Sequence, residues 1–277
     1  MAKERNQRLL SPPVPKGELR CIIRAMSKLS VIILTHNVED LIADCIDSVS
    51  FADELLVIDD VSTDRTVDIA KLKGAKVISH HFNGFAEKRN FGLKKVKYDW
   101  VFYIDADERV DETLQQSLRQ ITESKQTASA YKVHRKNFYL GDHEWPVIEE
   151  MERVFKRKAL IEWVGDLHET PKFDGEIGEL EGFLLHYTHR DLASMLQKTI
   201  AWSGTEARLR YEAHHPQMTW WRFPRVMASA FYDSYVRQKG YTVGTAGLVE
   251  SMFQAFSMFV TYARLWELQQ RKAHHEK

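Results

Sequence analysis

The chain has 277 residues, of which 44% are hydrophobic and 28% charged. That composition excludes a disordered chain, and 13 glycines with 7 prolines exclude a collagen-like or low-complexity one. Thirty-nine Lys and Arg offset thirty-nine Asp and Glu, a zero balance that excludes general nucleic-acid binding.

Two cysteines, Cys21 and Cys45, are too few for a disulfide framework or a cysteine-rich zinc site, which points to a reducing, cytoplasmic setting. No apolar run approaches the ~18 to 20 residues of a membrane span, and the first residues lack the apolar core of a secretory signal. The zero charge is unevenly spread. Residues 1–28 hold seven basic and two acidic residues, and residues 190–277 hold twelve and seven, so each end carries +5 and the middle −10. Such a chain suits a cation bound centrally and an anionic surface met peripherally; solvated faces are the plainer explanation.

Residues 1–28 mix charge with Ser11-Pro-Pro-Val-Pro15 and show no sustained period, so they read as a loose N-terminal extension. Met26 is then the expected ancestral start. Leu29–Leu34 is a short apolar run suited to a buried strand. After Thr35-His-Asn37, residues 38–50 have helical apolar spacing. Glu54–Ile58 is a second strand ending at Asp59-Asp60. Ser62-Thr-Asp64 supplies capping chemistry for a helix over 65–73, and Gly74 stops it. Lys76–Ser79 is a third strand, 84–97 a helix, and Asp99–Ile104 a fourth strand running into Asp105-Ala-Asp107. A further helix starts at Asp111 or Thr113 and runs to about 123. This alternation predicts a parallel α/β sheet with both faces covered, whose ligands bind at strand carboxyl ends. Residues 130–187 read as a mixed region with short strands at 130–134, 153–155 and 183–187. From 191 the pattern is helical, over 191–212, about 220–238 and 247–270.

Three motifs therefore sit at strand ends. In extended backbone, residues i and i+2 project the same way, so Asp105 and Asp107 can converge on one hard cation, with Ala106 kept small between them. Mg²⁺ or Mn²⁺, partly hydrated and shared with substrate phosphates, suits such a pair. A carboxylate of Asp59-Asp60 can accept the N3–H of a uracil. Gly84–Asn90 places Lys88 and Arg89 near a helix start, where backbone N–H groups also favour anions and the arginine fork suits a diphosphate. Lys94 and Lys95 read as a solvated face. His168-Glu169, in a loop bounded by Gly165 and Pro171, offers a third metal ligand and a general base, or else a plain exposed pair. No second histidine follows four residues on, which excludes a zinc-protease helix. His186, Tyr187 and His189 form another polar cluster at a strand end.

The last helix is unusual. Glu250, Gln254, Ser257, Thr261 and Arg264 form one narrow polar stripe, and every other face is apolar. Such a helix is expected to bury most of its circumference, by core packing or dimerisation. Insertion into a membrane interface is the alternative, favoured by the aromatic and basic stretch Trp220–Arg225.

Taken together, Ser30–Asn37, Val57–Asp64, Gly84–Asn90 and Asp105-Ala-Asp-Glu108 resemble glycosyltransferase family 2, the inverting enzymes of GT-A fold. The likeness is close over roughly 29–125 and looser beyond. The Asp-Ala-Asp-Glu form, His168-Glu169 and the Lys239–Leu248 stretch look most like the bacterial lipopolysaccharide-core glucosyltransferase branch. One departure is Val61, where many relatives have glycine; a β-branched residue resists a positive φ, so a different local turn is expected. The resemblance implies a Rossmann-like GT-A catalytic domain over 29–190, with a mixed sheet, and a helical region over 191–277 for acceptor, membrane or subunit contact. It implies a base pocket of Leu34, Thr35 and His36, with Asp60 or Asp59 on uracil. Lys88 and Arg89 would approach the diphosphate, Asp105 the ribose or metal, and Asp107 the cation directly, with His168 a further ligand. Glu169 is the expected base, with Glu149, Glu150 and Asp142 as alternatives.

The expected activity is metal-dependent transfer of a sugar, glucose by resemblance, from a UDP-sugar. The acceptor is a lipopolysaccharide-core or lipid-linked saccharide at the cytoplasmic membrane face. The partners are thus donor and acceptor, with peripheral membrane contact or a homodimer through the last helices, and no nucleic acid. A noncatalytic sugar-nucleotide or glycan-binding protein of the same fold is the second reading. A nucleotidyltransferase is disfavoured, because Thr35–Asp40 is not a glycine-rich basic phosphate loop.

Overall fold

The computed structural model describes residues 27–123, 128–165 and 169–275. The N-terminal extension up to Met26, with Cys21, and the His168 side chain lie outside the described residues.

Apolar runs without alternation belong to strands covered on both faces. Three of them, β1 (Leu29–Thr35), β2 (Glu54–Asp59) and β4 (Trp100–Asp105), with the short edge strand β3 (Lys76–Ser79), make the first half of the sheet, parallel in the order β3-β2-β1-β4. Every residue of β1 is buried. Val31, Ile33, Val57, Phe102 and Ile104 enter one core, under α1 (Ile42–Ser48), α2 (Thr66–Leu72) and α4 (Glu112–Glu123). Ile32, Leu34, Leu56, Ile58 and Tyr103 enter the other, against α3 (Phe85–Leu93). Register aligns the motifs, for Thr35 lies opposite Asp59 and Leu34 opposite Asp105. The strand after β1 pairs on one side and β4 on the other, so β1 and β4 flank the crevice where strand order reverses.

The second half is antiparallel as well as parallel. Beyond β4 the sheet continues through β7 (His143–Lys156), β6 (Ala130–Tyr139), β10 (Ile177–Tyr187) and β5 (Glu108–Val110), while β8 (Leu160–Val164) and β9 (Thr170–Phe173) pair separately. The eight-stranded sheet is therefore mixed. Strands β6 and β7 run 10 and 14 residues, far longer than their apolar patterns suggest. Their length is carried by opposed charges, Lys132 to Glu150 at 3.2 Å and Arg135 to Glu149, which stabilise cross-strand neighbours without any hydrophobic signal. In β10, Gly182 has φ +96°, and a Cβ there would meet the Leu114 nitrogen at 2.1 Å. Only glycine lets this strand pass the start of α4 and reach β5, where His186 pairs with Glu108.

Three helices complete the chain: α5 (Leu192–Glu212), α6 (Arg222–Tyr232, followed by a π-helical turn Asp233–Arg237) and α7 (Gly244–His275). Asp191 and Ser194 close a capping box at the start of α5. The expectation for α7 is reversed in part. Its polar stripe faces inward, with Glu250 buried on His189 at 2.9 Å and Ser257 bonded to Thr199, while one of its apolar faces is exposed. The buried stripe tolerates this because its polar groups find partners inside the protein.

Candidate active site

The carboxyl ends of β1, β2 and β4 open into a cavity of about 1070 Å³ that extends between α5 and α7. At its β1–β2 end the two adjacent aspartates divide their labour. Asp59 is fully buried and accepts from Thr35 Oγ1 at 3.0 Å and Ser62 N at 3.0 Å, so it builds the turn and does not line the cavity. Asp60 lines it, with Lys88 Nζ at 3.2 Å and the Phe82 N–H at 3.2 Å. Burial opposes its ionisation, but the Lys88 ammonium and the Phe82 N–H outweigh it and hold the carboxyl below its ordinary value. Leu34, Thr35 and His36 line the same end, and His36 Nδ1 sits 2.7 Å from the Asp60 carbonyl oxygen. Val61 takes φ +52°, so the glycine-like turn persists despite the β-branched residue.

Ala106 and Asp107 form a turn between β4 and β5, not extended backbone. The expected convergence of Asp105 and Asp107 by strand alternation therefore does not occur, although both line the cavity. Asp105 is gripped by two guanidinium groups, Arg89 Nη2 at 3.1 Å and Arg153 Nη2 at 3.0 Å. Against the cost of burial, they lower its carboxyl from 3.8 to about 2. Asp107 turns to His186 Nε2 at 3.2 Å and Lys198 Nζ at 3.7 Å. Burial opposes ionisation there too, and His186 and Lys198 hold the carboxyl well below its usual range.

The partners of His186 decide what it offers Asp107. Its Nδ1 lies 2.7 Å from Asn137 Oδ1, and the Asn137 amide nitrogen donates to Glu149 Oε1 at 3.0 Å. Asn137 therefore presents its oxygen and Nδ1 donates to it, so Nε2 is the ring nitrogen that faces Asp107: protonated, it makes the ion pair that lowers Asp107, and once that proton leaves, its lone pair and the carboxylate face a cation together. A carboxylate with one imidazole nitrogen admits Mn²⁺ more readily than Mg²⁺, which takes oxygen ligands and keeps its waters.

Arg89 runs along the cavity wall over the Trp163 ring, 4.9 Å from its centroid. Its Nε donates to Glu169 Oε1 at 2.8 Å, and its Nη1 is buried without a hydrogen-bond partner among the described residues. Lys88 and Arg89 are thus buried among carboxylates, not displayed on a basic helix turn. Of the expected bases, Glu169 and Glu149 line the cavity. Glu150 lies near His134 and Glu179 away from it, and Asp142 lies on the exposed β6–β7 turn.

The sequence model of Glycosyl transferase family 2 matches residues 30–173, just over half of the chain. The chain belongs to that family. This family 2 glycosyltransferase is 28% identical over 266 residues to an uncharacterized glycosyltransferase of Rickettsia typhi, covering 88% of each. It is 25% identical over 258 residues to the lipopolysaccharide core biosynthesis glycosyltransferase LpsC of Rhizobium meliloti, covering 88% of this chain and 94% of that one. Its fold is similar to that of a mannosyltransferase of Pyrobaculum calidifontis solved with GDP-Man and Mn²⁺, at TM-score 0.54, 13% identity and 88% of both chains. The glycosyltransferase thus has the GT-A architecture. Its cavity also contains residues that sequence reading passed over. Arg153, Arg135 and Lys198 carried no local motif, and His186 stood only as part of a polar cluster. The signal that locates His186 is long-range, the pairing of β10 with β5, which the sequence does not print.

Proposed function

We propose that this glycosyltransferase is an inverting, divalent-cation-dependent enzyme that moves a hexose, glucose by resemblance, from a UDP-sugar to a lipopolysaccharide-core or lipid-linked saccharide. The observation that carries the reading is Asp107 Oδ2 beside His186 Nε2, in one cavity with Asp60 and Arg89. Asp107 and His186 would hold Mn²⁺ or Mg²⁺, with Asp105 beside them, and such an ion supplies charge neutralisation to a departing nucleoside diphosphate. Leu34, Thr35 and His36 bound the base pocket, and Asp60 accepts the uracil N–H. The Nη1 of Arg89, which meets no hydrogen-bond partner among the described residues, is a ready donor for a diphosphate oxygen, since a buried guanidinium N–H without a partner is costly until an anion meets it. Glu169 is assigned as the base that takes the proton of the acceptor hydroxyl; it shares Arg89 with Asp105, which ties it to the reacting end of the cavity. Residues 29–190 act as the catalytic domain and 191–277 as the acceptor-facing helices, at the cytoplasmic face of the membrane.

The test is UDP release from a panel of UDP-sugars with Mn²⁺ and then EDTA. Asp107→Asn is expected to lower cation-dependent release by about a thousandfold. Wild-type turnover in that variant, or turnover indifferent to EDTA, would overturn the assignment. Glu169→Gln and Glu149→Gln separate the two cavity carboxylates, and the larger loss marks the base.

A further inference from the structure

Helix α7 exposes six large apolar side chains on one side: Leu248, Val249, Met252, Phe256, Phe259 and Trp266. At about 100° per residue these positions fall within an arc of roughly 100°, and at about 1.5 Å per residue they extend some 27 Å. The opposite arc is fixed to the protein. Glu250 binds His189, Ser251 Oγ lies 2.9 Å from Ser234 Oγ, and Tyr262 and Leu265 pack with Ala207 and Met218. By length and composition the helix could cross a bilayer, but those inward contacts leave only one face free. A helix held in this way can meet a membrane only along its outer face and does not pass through it.

The surroundings identify the occupant. Trp220 is 82% exposed and Trp221 43%, and the guanidinium carbons of Arg222 and Arg225 stand 5.2 and 5.9 Å from the Trp221 ring centroid. Indole and guanidinium side by side are the chemistry of the boundary between lipid headgroups and acyl chains. Residues 190–277 carry a net +5 from twelve basic and seven acidic residues. Two copies facing each other through this region would bring like charges together, whereas an anionic bilayer attracts it. A second cavity of about 770 Å³ lies between α6, α7 and the β6–β7 hairpin, with Arg222 and Arg225 in its lining. It shares Tyr139, Glu149, Gln254 and Met258 with the first cavity.

We propose that the outer face of α7, with the Trp220–Arg225 segment, docks the protein in the plane of an anionic lipid bilayer. The second cavity then receives an acceptor anchored in that bilayer and leads it toward Glu149. Only the acceptor's identity rests on the transferase reading; the docking does not.

The experiment is flotation of the full chain with vesicles of phosphatidylcholine, alone or with about one-third phosphatidylglycerol, at low and high salt. The expected result is co-flotation with the anionic vesicles, weakened by salt. A Phe256→Ser/Phe259→Ser variant should bind at least about tenfold less tightly, because both rings are partly exposed and lose apolar burial in lipid. Its circular dichroism and its vesicle-free UDP release should match the wild type. Vesicle-free release also isolates a failure of the transferase reading from a failure of docking. If that variant is unfolded, Trp266→Ser is measured in its place. Wild-type protein that stays at the bottom of the gradient with both compositions would overturn the proposal. So would equal flotation of the folded variants, or a stable dimer by light scattering that the same substitutions dissociate.

Discussion

Replacing Val61 by glycine should stabilise the protein, although it removes a side chain. Val61 sits at φ +52°, a region in which an L-residue crowds its own carbonyl, at about 1–2 kcal/mol. The turn leaves it no choice. Asp60 N donates to Thr35 O at 3.0 Å, Ser62 N to Asp59 Oδ2 at 3.0 Å, and Asn37 N to Ser62 Oγ at 2.9 Å, so the residues on either side are anchored. The valine side chain is half exposed and contributes little burial to offset the strain. Glycine relieves the crowding but adds about 0.5–1 kcal/mol of unfolded-chain entropy. The expected net gain is about 0.5–1 kcal/mol, a rise of about 1–3 °C in Tm for a chain of this size. Thermal unfolding of Val61→Gly and wild type under identical buffer is the measurement, with Val61→Ala as the control that keeps the strain. An unchanged or lower Tm for the glycine variant would refute the claim that this turn is strained.

Asp59→Asn and Asp60→Asn should part company. The first removes a buried acceptor of three donors and is expected to cost about 1–3 kcal/mol of stability, while the second should chiefly raise KM for the donor, with some loss of Tm because the buried Lys88 ammonium then keeps only the Thr35 carbonyl among the described residues; unfolding and donor titration read the two effects. Arg153→Met tests the arginine grip on Asp105. Lowering that carboxyl from 3.8 to about 2 is worth about 2 kcal/mol at neutral pH. The contribution is present above 3.8 and lost as pH falls through about 2, so the variant should unfold at a less acidic pH in an acid titration followed by circular dichroism. Gly182→Ala combines φ +96° with a contact onto the Leu114 nitrogen, and a loss of about 2–4 kcal/mol in urea unfolding is expected.

The parallel half of the fold was legible because its central strands are near-continuous apolar runs that end on short polar motifs. Leu29–Leu34 and Asp99–Ile104 could hardly have been anything else, and Asp60, Asp105 and Asp107 were found as strand-end carboxylates. The antiparallel half was not, because β6 and β7 are held by alternating Lys, Arg and Glu, which in one dimension look like solvated chain. The same limit hid the site's cations. Arg153 reaches Asp105 from a strand 48 residues later, and His186 reaches Asp107 from 79 residues later. Asp59 shows the converse: its neighbour's motif suggested ligand contact, yet burial and three donors give it to the turn. For α7 the stripe was legible but its direction was not, since periodicity locates a face and says nothing about which side is wet.

That two-sided helix constrains how the gene can drift in length. Inserting a single codon midway along α7 would rotate everything downstream by about 100°. Thr261 would leave the cavity wall and Trp266 would swing off the outer surface. Three or four added codons restore the angle to within about 60° and 40°, so tolerated indels in this segment should come in threes and fours, while single-codon changes should be confined to the two ends of the helix.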